Sequence, residues 1–383
     1  TMANNNDNKV LNVPHLRFPE FSGEWKMCTI GELTTKVGSG VTPRGGEAVY
    51  KTEGHPFVRS QNVGLGNLLL DDIAFIDEET HLRQKSTELQ FNDVLLNITG
   101  ASIGRSALVD KQIVGGNVNQ HVCIIRTKEN LVPSFICSFL LSNYGQRQID
   151  SFQAGGNRQG LNFEQIKSIK ITIPSKDEQI KIAKLLRAID ERIATQNKII
   201  DKLQSLIKGI AQNVARNNKP NIRLSECLEC SSSTLQESDV CKNGTYPVYG
   251  ANGIVGYLDN YNTEKEAVYI IKDGSGVGTV SYVTGKCSAT GTLNTLQAKE
   301  GYSLQYLYYM LKVFNFEPYK TGMAIPHIYF KDYGKAKIFC PSYTEQLKYA
   351  RLLSAIDNKL SAEQSILTDL SLQKQYLLRQ MFI

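Results

Sequence analysis

The sequence predicts an α+β protein with two similar domains, two long helices that pack on each other, and a pseudo-two-fold internal repeat. Three observations indicate this architecture: a segment that recurs 167 residues later, a heptad pattern of apolar residues after each copy, and short β-rich runs separated by glycine-containing loops. The 383 residues, 41% apolar and 21% charged, have the size and composition of a globular protein with two or three domains.

The repeat is clearest where residues 170–193 align without gaps on residues 337–360, with 13 of 24 positions identical. The correspondence extends upstream through an apolar strand, a helical pattern, a glycine-containing loop and a second short strand. A weaker parallel joins residues 97–104 to residues 271–278, each after an apolar strand. Elsewhere the two halves differ, so we expect one shared framework that carries two different variable parts.

A Pro-Ser pair at 174–175 and again at 341–342 predicts the start of a long helix, which the serine can cap. Apolar residues then recur at alternating spacings of four and three, as in a coiled coil. The first seam is Ile182, Leu186, Ile189, Ile193, Gln196, Ile200, Leu203, Ile207 and Ile210. The second is Tyr349, Leu353, Ile356, Leu360, Glu363, Leu367, Leu370, Lys374, Leu377 and Met381, which Lys374 interrupts.

The first helix, expected over about 178–213, would be ~54 Å long at ~1.5 Å rise per residue. That length is typical of a spacer, and two matched seams favour an intramolecular coiled coil over a helix packed on its own domain. The predicted organisation is an asparagine-rich disordered tail (1–15), a first domain (16–173), the first helix (174–216), a linker with the second domain (217–340) and the second helix (341–383).

The candidate binding residues lie on polar, glycine-rich loops of both variable parts. A net charge of +6 suits an anionic partner, and Arg, Lys, Asn, Gln, Ser and Thr side chains contact DNA bases and phosphates. In the first domain we select Arg44, Lys51, Arg59, Gln61, Asn62, Thr99, Ser102, Arg105, Asn157 and Arg158. In the second we select Tyr249, Asn252, Lys272, Ser275, Thr290, Lys320 and His327. His121, in an apolar strand, is expected to be structural.

Several catalytic motifs are missing from the sequence. There is no G-x-x-x-x-G-K-[ST] phosphate loop and no Asn-Pro-Pro-Tyr or Asp-Pro-Pro-Tyr motif of adenine methyltransferases, and Gly274–Gly278 lacks dinucleotide-loop spacing. Cys227 and Cys230 have zinc-knuckle spacing without a second pair or a nearby histidine, so no metal site is expected. With no apolar run long enough to span a membrane and no apolar signal core, we expect a soluble cytoplasmic protein.

The chain resembles the specificity (S) subunits of type I restriction-modification systems over nearly everything after residue 15. The resemblance rests on Gly23-Glu-Trp-Lys26, Ile30-Gly-Glu-Leu33 and Gly40-Val-Thr-Pro43, and on the ending Leu377-Leu-Arg-Gln-Met-Phe382. It also rests on Pro-Ser-x-x-Glu-Gln with Leu-Leu-x-Ala-Ile-Asp, which occurs twice. It implies two target recognition domains, each reading one part of a split double-stranded DNA sequence, held apart by two antiparallel helices.

The resemblance also implies partners and a division of labour. Two modification subunits would carry S-adenosylmethionine and methylate adenine N6, and restriction subunits with ATP and Mg would join them. The chain itself would bind no cofactor, contact no membrane and catalyse nothing. Two alternatives stay open: a subunit of a fused restriction system with its own catalysis, and a coiled-coil scaffold that binds only proteins.

Overall fold

A computed structural model describes residues 12–153, 160–322 and 325–383. The chain divides into two compact units, one of residues 1–195 with 367–383 and the other of residues 196–366. Each unit therefore contains one variable part together with a portion of both long helices. The predicted boundaries at 173 and 340 lie between the last strand of each variable part and the long helix that follows it. The compact units instead divide within the long helices.

The described residues of the first unit form nine strands in three sheets. They are β1 (Lys26–Thr29), β2 (Thr34–Ser39), β3 (His55–Val58), β4 (Ala74–Ile76), β5 (Val94–Asn97), β6 (Ser106–Leu108), β7 (Asn117–Val118), β8 (Val122–Thr127) and β9 (Lys170–Ile173). The sheet orders are β1-β9, β2-β8-β5-β6 and β4-β3-β7. All pairings are antiparallel except that of β3 with β7.

Helices pack against these sheets. They are α1 (Glu78–Arg83), α2 (Pro133–Leu141), α3 (Asn143–Ser151), α4 (Phe163–Ser168) and the start of the 41-residue α5 (Lys176–Arg216). The main core cluster joins α2 to both long helices, and within it the rings of Trp25 and Phe135 meet edge to face at 6.0 Å. Phe382 packs on Phe135 and Phe139 at 5.2 and 6.2 Å, so the end of the chain completes the core of the first unit.

The second unit repeats this strand plan. Its strands are β10 (Ile222–Arg223), β11 (Leu228–Ser232), β12 (Tyr246–Gly250), β13 (Gly253–Leu258), β14 (Glu266–Ile271), β15 (Val280–Thr284), β16 (Ser288–Ala289), β17 (Leu293–Ala298) and β18 (Lys337–Ile338). Its helices are α6 (Leu224–Cys227), α7 (Leu304–Lys312), α8 (Phe330–Tyr333) and α9 (Tyr343–Gln380). The sheet orders β10-β18, β11-β17-β14-β15 and β13-β12-β16 match those of the first unit strand for strand.

The variable parts are thus one fold used twice, and the expectation that the halves differ there holds only for sequence. Two glycine pairs explain the weak parallel between residues 97–104 and 271–278. Gly100 and Gly104 have φ of 72° and 85°, and Gly274 and Gly278 have φ of 96° and 91°. The left-handed backbone at both positions of each loop favours glycine.

Both predicted seams face inward along the two long helices. Every seam residue of α5 and α9 is buried or half-buried. The helices run antiparallel inside each unit: Asp190 pairs with Lys374 in the first, and Gln196 with Glu363 in the second. Lys374, the polar interruption, is 15% exposed and also donates to the Leu65 carbonyl at 3.2 Å.

The repeated Glu-Gln pair ties each long helix to its own unit. Gln179 accepts the Val132 N–H at 2.9 Å and donates to the Pro174 carbonyl at 3.1 Å. Gln346 does the same with the Ser303 N–H and the Pro341 carbonyl, both at 2.9 Å. Both glutamines are almost fully buried. The glutamine therefore recurs at the same position of the repeat because it makes the same buried hydrogen bonds in both units.

Candidate nucleic-acid interface

One edge of the first unit gathers the ends of five strands. Strands β3, β5 and β7 end there and strands β6 and β8 begin there, so the loops 59–62, 98–105 and 119–121 are neighbours. The Asn97 side-chain amide links two of these loops, because it donates to the Ser60 carbonyl at 2.8 Å and to the Ser102 hydroxyl at 3.1 Å. Loops that a rigid sheet places together in this way are suited to binding.

These loops surround an open cleft of about 460 Å³. The lining residues are Ser60, Gln61, Thr99, Gly100, Ala101, Ser102, Arg105 and His121. Four of the sequence-selected residues, Gln61, Thr99, Ser102 and Arg105, are therefore brought together. The Arg105 side chain is exposed, and across residues 12–153, 160–322 and 325–383 its guanidinium has no hydrogen bond or ion pair.

His121 lies in the cleft wall, which differs from the sequence interpretation. The strand that was expected to include it begins one residue later, at Val122. Its ring Nδ1 is 2.6 Å from the Thr99 hydroxyl, and its carbonyl accepts the Ile98 N–H at 3.0 Å. The sequence did not indicate this position, because His121 directly precedes an apolar run and nothing marks the first residue of the strand.

Arg59 and Asn62 are largely occupied by contacts within the unit. The Asn62 side chain is buried, donates to the Leu69 carbonyl at 2.9 Å and accepts the Arg59 N–H at 2.9 Å. The Arg59 guanidinium donates to the Asp72 carbonyl at 2.8 Å and lies over the Tyr50 ring. Both residues shape the β3–β4 loop, and a DNA contact by either stays a prediction.

The remaining selections in the first unit lie elsewhere or outside the described residues. Arg44 and Lys51 are exposed but do not line the cleft. Lys51 pairs through its backbone with Phe75, beside β4. Asn157 and Arg158 fall between the described ranges. Gly160, which follows them, pairs with Thr99 at the cleft.

The equivalent edge of the second unit holds most of its selected residues. The Lys272 N–H donates to the Thr292 carbonyl at 3.0 Å, as the Ile98 N–H does to His121, so Thr292 occupies the position of His121. The pairing of Asp273 with His327 repeats that of Thr99 with Gly160. Asn252, between β12 and β13, and Ser275, between β14 and β15, are exposed.

Four of the selected residues in the second unit already contact other side chains of that unit. His327 Nδ1 is 2.6 Å from Asp273 Oδ1, with both side chains about one third exposed. Thr290 is buried, with its hydroxyl 2.8 Å from that of Thr292. The Tyr249 ring packs beside Tyr269 at 5.8 Å between centroids, and Lys320 pairs with Glu317.

The cysteines give no support to a zinc site. Burial raises the pKa of the Cys227 thiol to about 12 and that of Cys230 to about 11. Within the described ranges, no three His, Cys, Asp or Glu residues are grouped so that they could hold a metal ion. Nor is any helix in those ranges long and apolar enough to cross a membrane.

Comparison with known proteins identifies the family. The sequence profile described as "Type I restriction modification DNA specificity domain" matches residues 22–205 and again residues 220–371. The chain therefore belongs to this family and contains two copies of its domain. The two matches follow the internal repeat and together include both sheet edges.

Individual relatives agree with this assignment. A Mycoplasma genitalium protein described as a type I specificity subunit is 25% identical over 320 residues, which is 76% of this chain and 81% of that protein. The EcoKI specificity subunit of Escherichia coli K12 is 23% identical over 202 residues, 50% of this chain and 41% of that subunit. The chain thus spans less than half of the EcoKI subunit.

Solved structures share the fold. The crystal structure of a type I restriction-modification S subunit from M. genitalium aligns with a TM-score of 0.66 at 19% identity, covering 97% of this chain and 99% of that one. A chain from a structural study of complex assembly in a type I R-M system aligns with a TM-score of 0.54 at 17% identity, covering 92% and 96%. The expected two-domain architecture with two long helices is confirmed.

Proposed function

We propose that this chain is the DNA specificity subunit of a type I restriction-modification complex and that each unit reads one half of a split duplex target. The observation that carries the proposal is the repeated sheet edge: two equivalent loop clusters with exposed polar and basic side chains, inside two copies of a DNA specificity domain. A protein-only scaffold gives no reason for this repetition, and the described residues that surround the edges form no metal-binding group.

The partners follow from the same proposal. Modification subunits would supply S-adenosylmethionine and adenine methylation, and restriction subunits would supply ATP- and Mg-dependent cleavage, both in the cytoplasm where the DNA lies. The exposed faces of the long helices offer apolar side chains for subunit contacts, including Leu206 on α5 and Leu372 and Tyr376 on α9, each about half exposed. Two modification subunits would match the two copies of the domain.

The test is co-purification of the chain with the adenine methyltransferase subunit encoded beside it, followed by methylation-aware sequencing of host DNA with and without the chain. We expect methylated adenines at one split motif only when the chain is present. Unchanged methylation, with no complex formed, would refute the proposal. Metal-dependent cleavage of DNA by the purified chain alone would instead support the alternative of a subunit with its own catalysis.

Binding of long duplex DNA supplies a second readout. Contacts with phosphates release counterions, so the affinity of the complex should fall steeply as salt increases. Binding that is independent of salt would favour a scaffold that contacts only proteins.

A further inference from the structure

We propose that Arg105 and His121 form a guanine-selecting pair in the cleft of the first unit, with Thr99 as the positioning residue for the histidine. This inference rests on the proposed function, because it names the base that the first recognition cleft selects. Arg105 immediately precedes β6 and His121 immediately precedes β8. Both strands pair antiparallel with β5, so both begin at the edge where β5 ends and present these two side chains to the same cleft.

The geometry fixes the His121 ring and leaves one nitrogen for a ligand. Nδ1 lies 2.6 Å from the Thr99 hydroxyl, and the backbone N–H is held by the Asn119 side chain at 3.0 Å. When the Thr99 hydroxyl donates to Nδ1, the ring proton resides on Nε2, which becomes a hydrogen-bond donor. In this tautomer the amide nitrogen of the exposed Gln120 side chain, 3.4 Å from Nε2, is itself a donor and forms no hydrogen bond with it, so Nε2–H is left for a ligand.

The donors in this cleft match guanine better than any other base. Guanine presents two acceptors, N7 and O6, in the major groove, whereas adenine presents N7 beside the N6 amino donor. The Arg105 guanidinium and His121 Nε2–H together supply donors only. An adenine at the same place would set its amino group against one of them.

No acidic group in the cleft competes for these donors. None of the eight described lining residues carries a carboxylate. The carboxylate of Asp72, on the neighbouring loop, already accepts from Gln61 and Arg59. In the second unit, by contrast, the position of Thr99 is taken by Asp273, whose carboxylate can accept from an amino group. The two clefts should therefore prefer different bases.

The experiment uses the complex of the full chain with its modification subunit. Methylation-aware sequencing first gives the split motif of the wild-type complex, and duplexes with one substituted base pair then give relative methylation rates. Arg105→Ala and His121→Ala should each lower the preference for G·C over A·T by about 10- to 100-fold at one and the same base pair of one half-site. All other positions, and the other half-site, should be read as before.

Three further variants distinguish a loss of base recognition from a loss of folding. Thr99→Val should lower the preference for G·C at the same base pair, but by less than His121→Ala does. Thr99→Ser keeps the hydroxyl and should therefore keep the wild-type preference. His55→Ala, which alters a histidine at the opposite end of β3 from Gln61, should leave the motif unchanged. Thermal unfolding of each variant controls for loss of fold.

The outcomes distinguish the inference from the proposed function. If the wild-type complex methylates no split motif, the proposed function fails. Suppose instead that the wild-type complex does methylate a split motif. The guanine-selecting pair is then refuted, while the function stands, if the Arg105 and His121 variants keep the same motif, lose selectivity at different base pairs, or lose selectivity at an A·T pair.

Discussion

Gln196 donates from its side-chain amide to both the carbonyl oxygen, at 2.9 Å, and the carboxylate of Glu363, the residue 167 positions later that the repeat makes its counterpart. Equivalent positions of the two long helices therefore meet at this contact. The carboxylate also pairs with Lys359, one turn earlier on α9. A buried polar contact thus lies within a seam that is apolar at most of its other positions.

Replacing both members of this pair by leucine should not weaken the helix pairing. Apolar residues of similar volume in place of a buried polar contact are often neutral or stabilising, whereas removing one partner strands the other. We expect Gln196→Leu/Glu363→Leu to unfold at or above the wild-type temperature and each single variant to unfold below it, as measured by circular dichroism. A double variant less stable than both singles would show that the pair is needed for stability itself.

The carboxylate of Glu363 should make stability depend on acid. The neighbouring Lys359 ammonium, followed by the Gln196 amide, holds the pKa of Glu363 below its ordinary value of 4.5. A lowered pKa contributes stability above the unfolded value, and this contribution is lost as the pH falls through the folded value. We expect the difference in unfolding free energy between wild type and Glu363→Gln to be constant near neutrality and to shrink below about pH 4.5. A difference that grows in acid would contradict this assignment.

The two buried glutamines should be needed at both helix starts. Gln179→Ala leaves the Val132 N–H and the Pro174 carbonyl without their partner. Each unsatisfied buried group costs about 1–3 kcal/mol, so a loss of about 2–6 kcal/mol is expected in denaturant unfolding. Gln346→Ala is the matched variant in the second unit, and Lys348→Ala, an exposed change two residues later, is the control. A loss below 1 kcal/mol in both glutamine variants would mean that water replaces the side chain at little cost.

Lys272 should contribute charge to DNA binding without selecting a sequence. Its side chain follows the end of β14 at the second sheet edge and has no ion pair in the described part of the chain. Lys272→Ala should weaken binding of all duplexes alike and reduce the slope of log affinity against log salt by about 1. Lys265→Ala, at the opposite end of the same strand, should change neither quantity. A changed methylation motif with an unchanged slope would assign Lys272 to base reading instead.

Residue patterns predicted the framework well because its physics is local. Heptad spacing fixes which face of a helix is buried, and the Pro-Ser-x-x-Glu-Gln segment carries both the cap and the buried glutamine. Only the structure explains why Lys374 can interrupt the apolar seam. Its ammonium donates to Asp190 and to the Leu65 carbonyl, and both are remote from it in sequence. The expected start and end of α5, at 178 and 213, differ from those observed by two and three residues.

The candidate interface was harder to predict, since loop chemistry does not reveal which way a side chain points. Asn62 and Thr290 have the residue types of DNA contacts, yet both are buried and bonded within their units. His121 shows the opposite error, because a histidine beside an apolar strand gives no sign that it borders a cleft. The internal repeat predicted two similar domains, whereas the matching strand order of their variable parts needed the structure, because these sequences share little beyond the glycine pairs.

The burial of Trp25 in the first unit makes that unit optically distinct. It is the only tryptophan of the chain, it is 2% exposed, and it lies against Phe135. Indole emission excited at wavelengths that tyrosine does not absorb therefore originates in the first unit alone. A red shift of that emission would time the opening of one unit, while loss of helical circular dichroism would follow the whole chain. The natural sequence thus carries a built-in reporter of whether its two halves unfold together.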